Sequence, residues 1–581
     1  MISTPLRLGP IQAPVTIVTM SVEQEKTAAE KEDASTMPAM EGWSQRVRMP
    51  LLLLALALAL TLLYGGFLSN PPVFDDITYF GPGVVDPFSV SPSLKLRDLS
   101  HATFAWVTAV FGADLAWQRG GNLALHIVNS WLVFLLLRRL FETAMRDEPQ
   151  SAKLAVSGAL TLPWLAFWGT CWFALNPASV YGVAYLMQRT TLLATTFALL
   201  TWLLFLEGLL RTRRRWLLAS CLAYFLAVLS KEHAIMVPAV AVAILLLFRR
   251  PTVALVREFG LTFFMYALIG LYTVVQVKRG GIVGSPYEPF GAAMLAELHI
   301  DPKLAYPLSL LGQCLMFFRY LLLWVVPNPQ WMSIDMPGHF PQSLLSWPQT
   351  AFVPLFLAYP LVATYLLLKR GRTGLLGFSL LVPWLLFATE LSTVRIQEIF
   401  VLYRSYLWMP CLAAAFPFIF GKLSARYTAA LFVALSLAFA AGSWNRLTTM
   451  STPLRVWDDA LRLAQGKDKT SRMGRIYHSR GMAYLRQEQY AAAILDFDAG
   501  LNFLPYHSWL YSDRGVAYFY TKRYAEALRD FNRSIMLDPN DSEPYLGRYL
   551  VYDALGDKDA ARQNLIISCR MRFVDLCRQA Q

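Results

Sequence analysis

The chain has 581 residues, 56% of them hydrophobic, 14% aromatic and only 16% charged. An ordinary soluble domain carries about 25% charged residues. Apolar runs of roughly 17–25 residues, long enough to cross a hydrocarbon core, recur from Leu51 to about Ser443. The composition excludes a soluble globular protein and implies an all-α fold, a polytopic membrane helical bundle. The net charge of +13 does not point to nucleic acid, because the basic residues gather in short clusters between apolar runs, as the loops of a multi-pass membrane protein require.

Residues 1–48 are polar, with Glu23, Glu25, Lys26, Glu30, Lys31, Glu32 and Asp33, and read as a disordered cytoplasmic tail. The first apolar run, Leu51 to Leu68, follows Arg46 and Arg48. It is too long for a signal-peptide core and lacks a small-residue cleavage site, so it reads as a retained anchor with its N-terminus inside. If Arg138-Arg139, Arg211 to Arg215, Arg249-Arg250, Lys369 to Arg372 and Lys422 to Arg426 are cytoplasmic, residues 49–443 form a transmembrane domain. Spans then fall near 51–68, 120–139, 154–174, 191–210, 216–231, 234–249, 259–277, 350–368, 374–390, 402–420 and 427–443. About eleven crossings leave the N-terminus inside and the C-terminus outside. Tyr306 to Val326 would upset that parity and is expected to be re-entrant or in-plane, buried in protein.

The longest external loops are then 69–119 and 278–349, followed by 391–401. The first holds Phe74, Tyr79, Phe80, Phe88, Phe104 and Trp106, and a loop of that length with so many aromatics is expected to be functional. From residue 444 to 581 the long apolar runs stop and a period of 34 residues appears. Gly481, Ala483 and Tyr484 return as Gly515, Ala517 and Tyr518; Tyr490, Ala493, Phe497 and Pro505 return as Tyr524, Ala527, Phe531 and Pro539. This is the tetratricopeptide pattern, an α-solenoid of paired helices. A weaker unit follows from about Ser542 to Arg570, and Trp457 to Leu463 is expected to supply a preceding helix. The repeats either cap the membrane domain or dock a polypeptide. Among the six cysteines, Cys569 and Cys577 would pair if the tail lies in an oxidising compartment, or remain free thiols.

Ionisable groups at membrane depth are functional candidates: Asp75, Asp76, His126, Gln188 with Arg189, Lys231 with Glu232, Asp335, Glu390, Arg395, Glu398 and Arg404. All but His126 fall at the outer ends of spans or in external loops; His126 reads as an interhelical hydrogen-bonder. Arginines suit phosphate because their planar fork binds it bidentately. A carboxylate can accept a proton from an acceptor hydroxyl or hold a metal. Lys231 and Glu232 also fit a simple ion pair at a helix turn.

The pieces LSNPPVFDDITYF, NLALHIVNSWLVFLLLRRLF, NPASVYGVAYLMQRTTLLATTFALLTWLLF, LSKEHAIMVPA, YLLLWVVPNPQWMSIDM and EIFVLYRSYLWMP occur in that order, ahead of the repeats. Together they resemble bacterial relatives of the transmembrane-and-tetratricopeptide O-mannosyltransferases, of the GT-C superfamily of integral membrane glycosyltransferases. The resemblance covers roughly residues 50–570. It implies inverting transfer of a sugar from a polyprenyl-phosphate-linked donor to a hydroxyl acceptor, a periplasmic protein or glycan, with the repeats periplasmic and the chain in the bacterial inner membrane. It further implies that the acidic pair Asp75 and Asp76 supplies the catalytic base, with Asp76 the base and Asp75 supporting, or that the two hold a divalent cation such as Mg or Mn. Arg404 and Arg189 would bind the donor phosphate, and Asp335, Lys231, Glu232, Gln188 and Tyr403 would contact substrate. The family's glutamate-arginine pair before its YLP element is altered here, since Glu398 lies six residues before Arg404; mannose is the default sugar. A non-catalytic scaffold that recruits partners through its repeats is the alternative, and an acidic pair has no purpose in it.

Overall fold

A computed structural model describes residues 48–74, 76–80, 88–146, 161–280, 291–466 and 471–571. The chain divides into two compact units, Met1–Leu58 and Ala59–Gln581. Of the first, only residues 48–58 are described, and they are helical.

The described residues form helices and no strands. Among the described residues, eight helices are long and apolar enough to cross a membrane: Arg48–Gly65, Leu115–Ala144, Leu186–Arg211, Val253–Arg279, Pro302–Val325, Gln349–Leu368, Gly371–Ser392 and Ala425–Thr449. That differs from the about eleven spans expected. Arg214–Ser230 has 17 residues, Val237–Phe248 has 12 and starts after the 3₁₀ turn Glu232–Met236, and of the expected span 154–174 only Leu162–Ala174 is described as helix. The expected span 402–420 is broken into the 3₁₀ turns Leu402–Leu407 and Pro410–Ala415 and the short helix Phe416–Phe420. Pro410 and Pro417 cannot donate into an α-helical ladder. Nearly all of this segment is buried, including Tyr406, Trp408 and Met409, which is the setting in which irregular backbone survives at membrane depth. Tyr306 to Val326 also differs from expectation. It belongs to the continuous helix Pro302–Val325, which at 1.5 Å per residue is about 36 Å long.

Neighbouring helices pack as antiparallel pairs where the connection is short, as between Arg189–Arg211 and Arg214–Ser230, and between Gln349–Leu368 and Gly371–Phe387. Leu115–Ala144 packs on both Leu162–Ala174 and Arg189–Arg211. Its polar side chains are spent between helices: His126 Nδ1 lies 2.7 Å from the Tyr406 hydroxyl and Nε2 3.0 Å from the Ala174 carbonyl.

The tail opens with Pro453–Ala464 and continues as three helix pairs: Ser471–Arg486 with Tyr490–Leu501, Ser508–Tyr520 with Tyr524–Leu537, and Glu543–Leu555 with Lys558–Met571. The recurrent glycines explain themselves. A Cβ on Gly481 would stand 2.7 Å from the Phe497 ring, and one on Gly515 2.8 Å from the Phe531 ring. Arg480 and Arg514 repeat a second device, each forking onto a carboxylate 16 residues on, Asp496 and Asp530, at 2.7–2.8 Å. Gly515→Ala is expected to overpack this pair and destabilise the tail by about 1–3 kcal/mol, read as a lower thermal unfolding midpoint of the full chain in detergent.

Candidate functional site

The segment after the first apolar helix is anchored before it reaches the acidic pair. Arg119 donates to the carbonyls of Leu68, Asn70 and Pro71. Phe74 then sits at φ 55°, a left-handed conformation costly for an aromatic residue. Its ring lies against Tyr185 at 5.9 Å and Trp457 at 5.6 Å, so packing on both sides holds the turn. Asp76 starts the short helix Asp76–Phe80 and is fully buried. One of its oxygens accepts the Leu186 N–H and the other the Met187 N–H, both at 3.0 Å. It thereby caps the 3₁₀ turn Leu186–Gln188 that leads into Arg189–Arg211. A carboxylate engaged in this way is a positioning group for the backbone, a different role from the base expected of Asp76. Asp75 lies outside the described residues.

Arg189 is likewise buried and committed. Its Nε donates to Asn122 Oδ1 at 2.9 Å, its two terminal nitrogens to the carbonyls of Thr103 and Gln118, and its guanidinium carbon lies 3.9 Å from the centre of the Phe104 ring. These contacts tie three helices together and take up the donors that the phosphate role would need. The structure does not bring Arg189 beside Arg404.

What it does bring together is a buried ion network. Glu390, 1% exposed in its side chain, lies 3.1 Å from Arg395, 3.1 Å from Arg404 and 3.3 Å from His233 Nε2. Arg404 also reaches Glu398 at 2.7 Å, and Tyr403 donates its hydroxyl to Glu398 at 3.2 Å. On the other side His233 Nδ1 is 3.4 Å from Glu232, which Arg97 grips with two nitrogens. Lys231 turns to the adjoining polar pair, 3.1 Å from Gln188 Oε1 and 2.7 Å from Thr191 Oγ1, with its ammonium 5.7 Å from the Tyr403 ring centre. So Gln188, Lys231, Glu232, Tyr403 and Arg404 converge, joined by Arg97 and His233, which the sequence reading did not single out. His233 follows directly on Lys231-Glu232, but nothing in the sequence brings Arg97 to a residue 135 positions away.

Two chambers flank this network. One, of about 300 Å³, has apolar walls from Ile235, Met236, Val274 and Val277, with Arg97, His233 and Arg395 also lining it. The other, of about 470 Å³, lies between Phe74, Ile77 and Thr78 on one side and the tail residues Trp457, Arg475, His478 and Trp509 on the other, with Glu398 in its lining. Among the described residues the cluster gathers four basic side chains, Arg97, Lys231, Arg395 and Arg404, with the carboxylates Glu232, Glu390 and Glu398.

Asp335 falls elsewhere. Arg472 Nε meets one of its oxygens at 2.7 Å and Arg475 the other at 2.5 Å, clasping the external segment to the first repeat helix. Burial of Asp335 opposes ionisation, but Arg472 and Arg475 outweigh it and hold its carboxyl below the ordinary value of 3.8. No group of three or more His, Cys, Asp or Glu among the described residues is placed to hold a metal ion. Each Asp76 oxygen accepts one backbone N–H, and Asp75, the other half of the pair expected to hold a divalent cation, lies outside the described residues. Cys569 is disulfide-bonded; the pairing expected with Cys577 falls outside the described residues.

Glu390→Gln removes the carboxylate charge shared by Arg395 and Arg404, while Arg404 keeps Glu398, and is expected to cost about 1–3 kcal/mol, checked by thermal unfolding. The Asp335 clasp has a definite pH sign. Its folded pKa is depressed, so its contribution is complete above about 3.8 and lost as pH falls through the folded value. Amide exchange of residues 331–340 is expected to stay slow from neutral to mildly acid pH in the native chain, and to be faster throughout that range in Asp335→Asn.

A tetratricopeptide repeat family model matches residues 508–541, the second helix pair with its closing turn. No curated protein matches the chain.

Proposed function

We propose that the chain is an integral membrane glycosyltransferase. It moves a sugar from a polyprenyl-phosphate-linked donor to a hydroxyl of an acceptor, O-linked on protein, at the periplasmic face of a bacterial inner membrane. The observation that carries this reading is the cationic network between an apolar chamber and a second chamber of mixed lining, where Glu398, Arg475, His478 and Arg486 stand among aromatic walls. A lipid-linked sugar phosphate needs apolar walls for its chain and cations for its phosphate; a hydroxyl acceptor needs a separate, wetter approach. Arg395 and Arg97 line the apolar side, where they would meet the phosphate, while Arg404 and Tyr403 hold Glu398 toward the acceptor side. The disulfide at Cys569 supports a tail in an oxidising compartment.

In this reading the acceptor oxygen attacks the anomeric carbon as the sugar–phosphate C–O bond breaks. The acceptor proton passes to a carboxylate, and the departing phosphate keeps the bonding electron pair, balanced by the arginine cluster. Asp75 takes the role of base, because the resemblance assigns the base to the acidic pair and the other member, Asp76, already accepts the Leu186 and Met187 N–H groups. Asp76 positions the turn that carries Gln188.

The test is sugar transfer from a short-chain polyprenyl-phosphate mannose to a serine- and threonine-containing peptide by the purified chain. Asp75→Asn is expected to lower kcat by about 10²–10⁴ with an unchanged unfolding midpoint, whereas Asp76→Asn lowers both activity and midpoint. Full activity in both variants contradicts the assignment; no transfer by the native chain from any polyprenyl-phosphate hexose favours the scaffold.

A further inference from the structure

Between His339 and Lys369 the chain holds no Asp, Glu, Lys or Arg. The helix Gln349–Leu368 accounts for only the later part of that uncharged stretch. The residues ahead of it, from Gln342 to Pro348, are exposed apart from half-buried Ser346. Three of them are large and apolar: Leu344 is 55% exposed, Leu345 83% and Trp347 81%. Single exposed apolar residues need no explanation, but three together on an uncharged turn mark a surface that something other than water covers.

The turn is closed by its own polar groups. The Ser346 N–H donates to the Ser343 carbonyl at 3.2 Å, and the Ser343 N–H donates to Ser346 Oγ at 3.1 Å. Thr350 Oγ1, in the first turn of the helix, donates to the carbonyls of Leu344 and Ser346 at 3.2 and 2.8 Å. Backbone paired in this way can leave water at a far smaller cost than an open loop. The surface that the turn continues faces lipid. Gln349–Leu368 is a candidate span whose apolar window is only 17% buried, with Leu355, Leu357, Leu361, Val362 and Tyr365 exposed along it. At 20 residues, about 30 Å, it is just long enough for a hydrocarbon core. Trp347 therefore stands at the interface, the level that tryptophan favours. A soluble partner would have to stop within two residues of the lipid, whereas one lipid surface covers turn and span alike.

We propose that the turn Ser343–Trp347 is a membrane wedge. Leu344, Leu345 and Trp347 enter the leaflet on the repeat side of the bilayer, to about 5–10 Å into the headgroup and acyl boundary. The side follows from Gln349 and Arg472, which line one cavity, so this end of the span faces the first repeat helix. Just before the wedge, Asp335 is bound by Arg472 and Arg475, and the Pro337 carbonyl by Arg319. The chain thus runs from a segment fastened to the solenoid directly into a turn fastened to lipid. The wedge thereby sets the height of the first repeat helix above the bilayer. This holds whatever reaction the chain performs and does not rest on the glycosyl-transfer reading.

The experiment places a fluorophore on the wedge. Leu345→Cys and, separately, Leu344→Cys are labelled with an NBD maleimide in the full chain, whose free cysteines Cys171, Cys221, Cys314 and Cys411 are buried. Tyr506→Cys in the solenoid, at a residue 76% exposed, is the reference, and the native chain gives the labelling background. The chains are reconstituted singly in nanodiscs of phosphatidylethanolamine and phosphatidylglycerol, and two wedge positions are used so that the outcome does not hang on one substitution. Emission from both wedge positions is expected to be lost when the lipids carry a doxyl group near the top of the acyl chain, and to resist aqueous iodide. The reference is expected to show the reverse. Iodide quenching at the wedge equal to that at the reference, without doxyl quenching, puts the turn in water and overturns the proposal. Protection from both quenchers places a protein surface over the turn and overturns it equally.

Discussion

The structure turns on Glu390, a carboxylate almost wholly removed from solvent and paired with Arg395 and Arg404, with His233 Nε2 3.3 Å away. Burying a charge costs several kcal/mol even after relaxation, and only close partners with good geometry offset it. A cluster of that kind cannot sit on continuous lipid-facing helices. The elements that carry it are accordingly short turns: Glu232–Met236, Ala388–Ser392 and Leu402–Leu407 are all 3₁₀, each following or replacing a stretch that apolarity alone would read as helix. Broken helices at membrane depth are tolerated where protein covers them. Here the cover is supplied by the long helices and the Tyr320, Phe387 and Trp408 aromatic cluster.

The same constraint accounts for the role of the tail. The loop that carries Asp335 is clasped by Arg472 and Arg475 of the first repeat helix as well as by Arg319 and Arg446, which donate to the carbonyls of Pro337 and Met332, and Arg475 also lines the second chamber. Trp457 packs on Phe74, the residue that holds the first external turn in a left-handed conformation. The repeats are thus walls of the chambers, and their contribution to chemistry need not be limited to recruiting a partner. Under the proposed glycosyl-transfer reading, the acceptor would enter the chamber lined by Trp457 and Glu398, and the anionic leaving group the apolar chamber lined by Arg97 and Arg395.

Much of this was legible in the sequence, and the parts that were not share a cause. The tetratricopeptide pairs follow from a 34-residue period in which Gly481 and Gly515 face Phe497 and Phe531. Long apolar helices follow from run length. The breaks at 232–236 and 402–415 do not, because hydropathy averages over a window and hides a buried charged residue among apolar neighbours. Of the candidate residues, Gln188, Lys231, Glu232, Tyr403 and Arg404 converge, since ionisable groups near membrane depth need partners and find one another. Arg189 and Asp76 show the limit of the same logic. Each is costly to bury, but one is offset by carbonyls, an amide and a ring, and the other by two backbone N–H groups, partners that carry no signature in the sequence. Asp335 satisfies its charge on a different domain. Arg97 reaches Glu232 across 135 positions, a pairing that only the folded chain reveals.

The central claim is that this arrangement transfers sugar to periplasmic protein, and mass spectrometry of periplasmic glycopeptides tests it most directly. Strains carrying the native gene, lacking it, and lacking it but complemented with the Asp75→Asn form would be compared. The account predicts a set of hexose-bearing serine or threonine peptides present with the native gene, absent without it, and not restored by the variant. Identical glycopeptides in all three strains would contradict it.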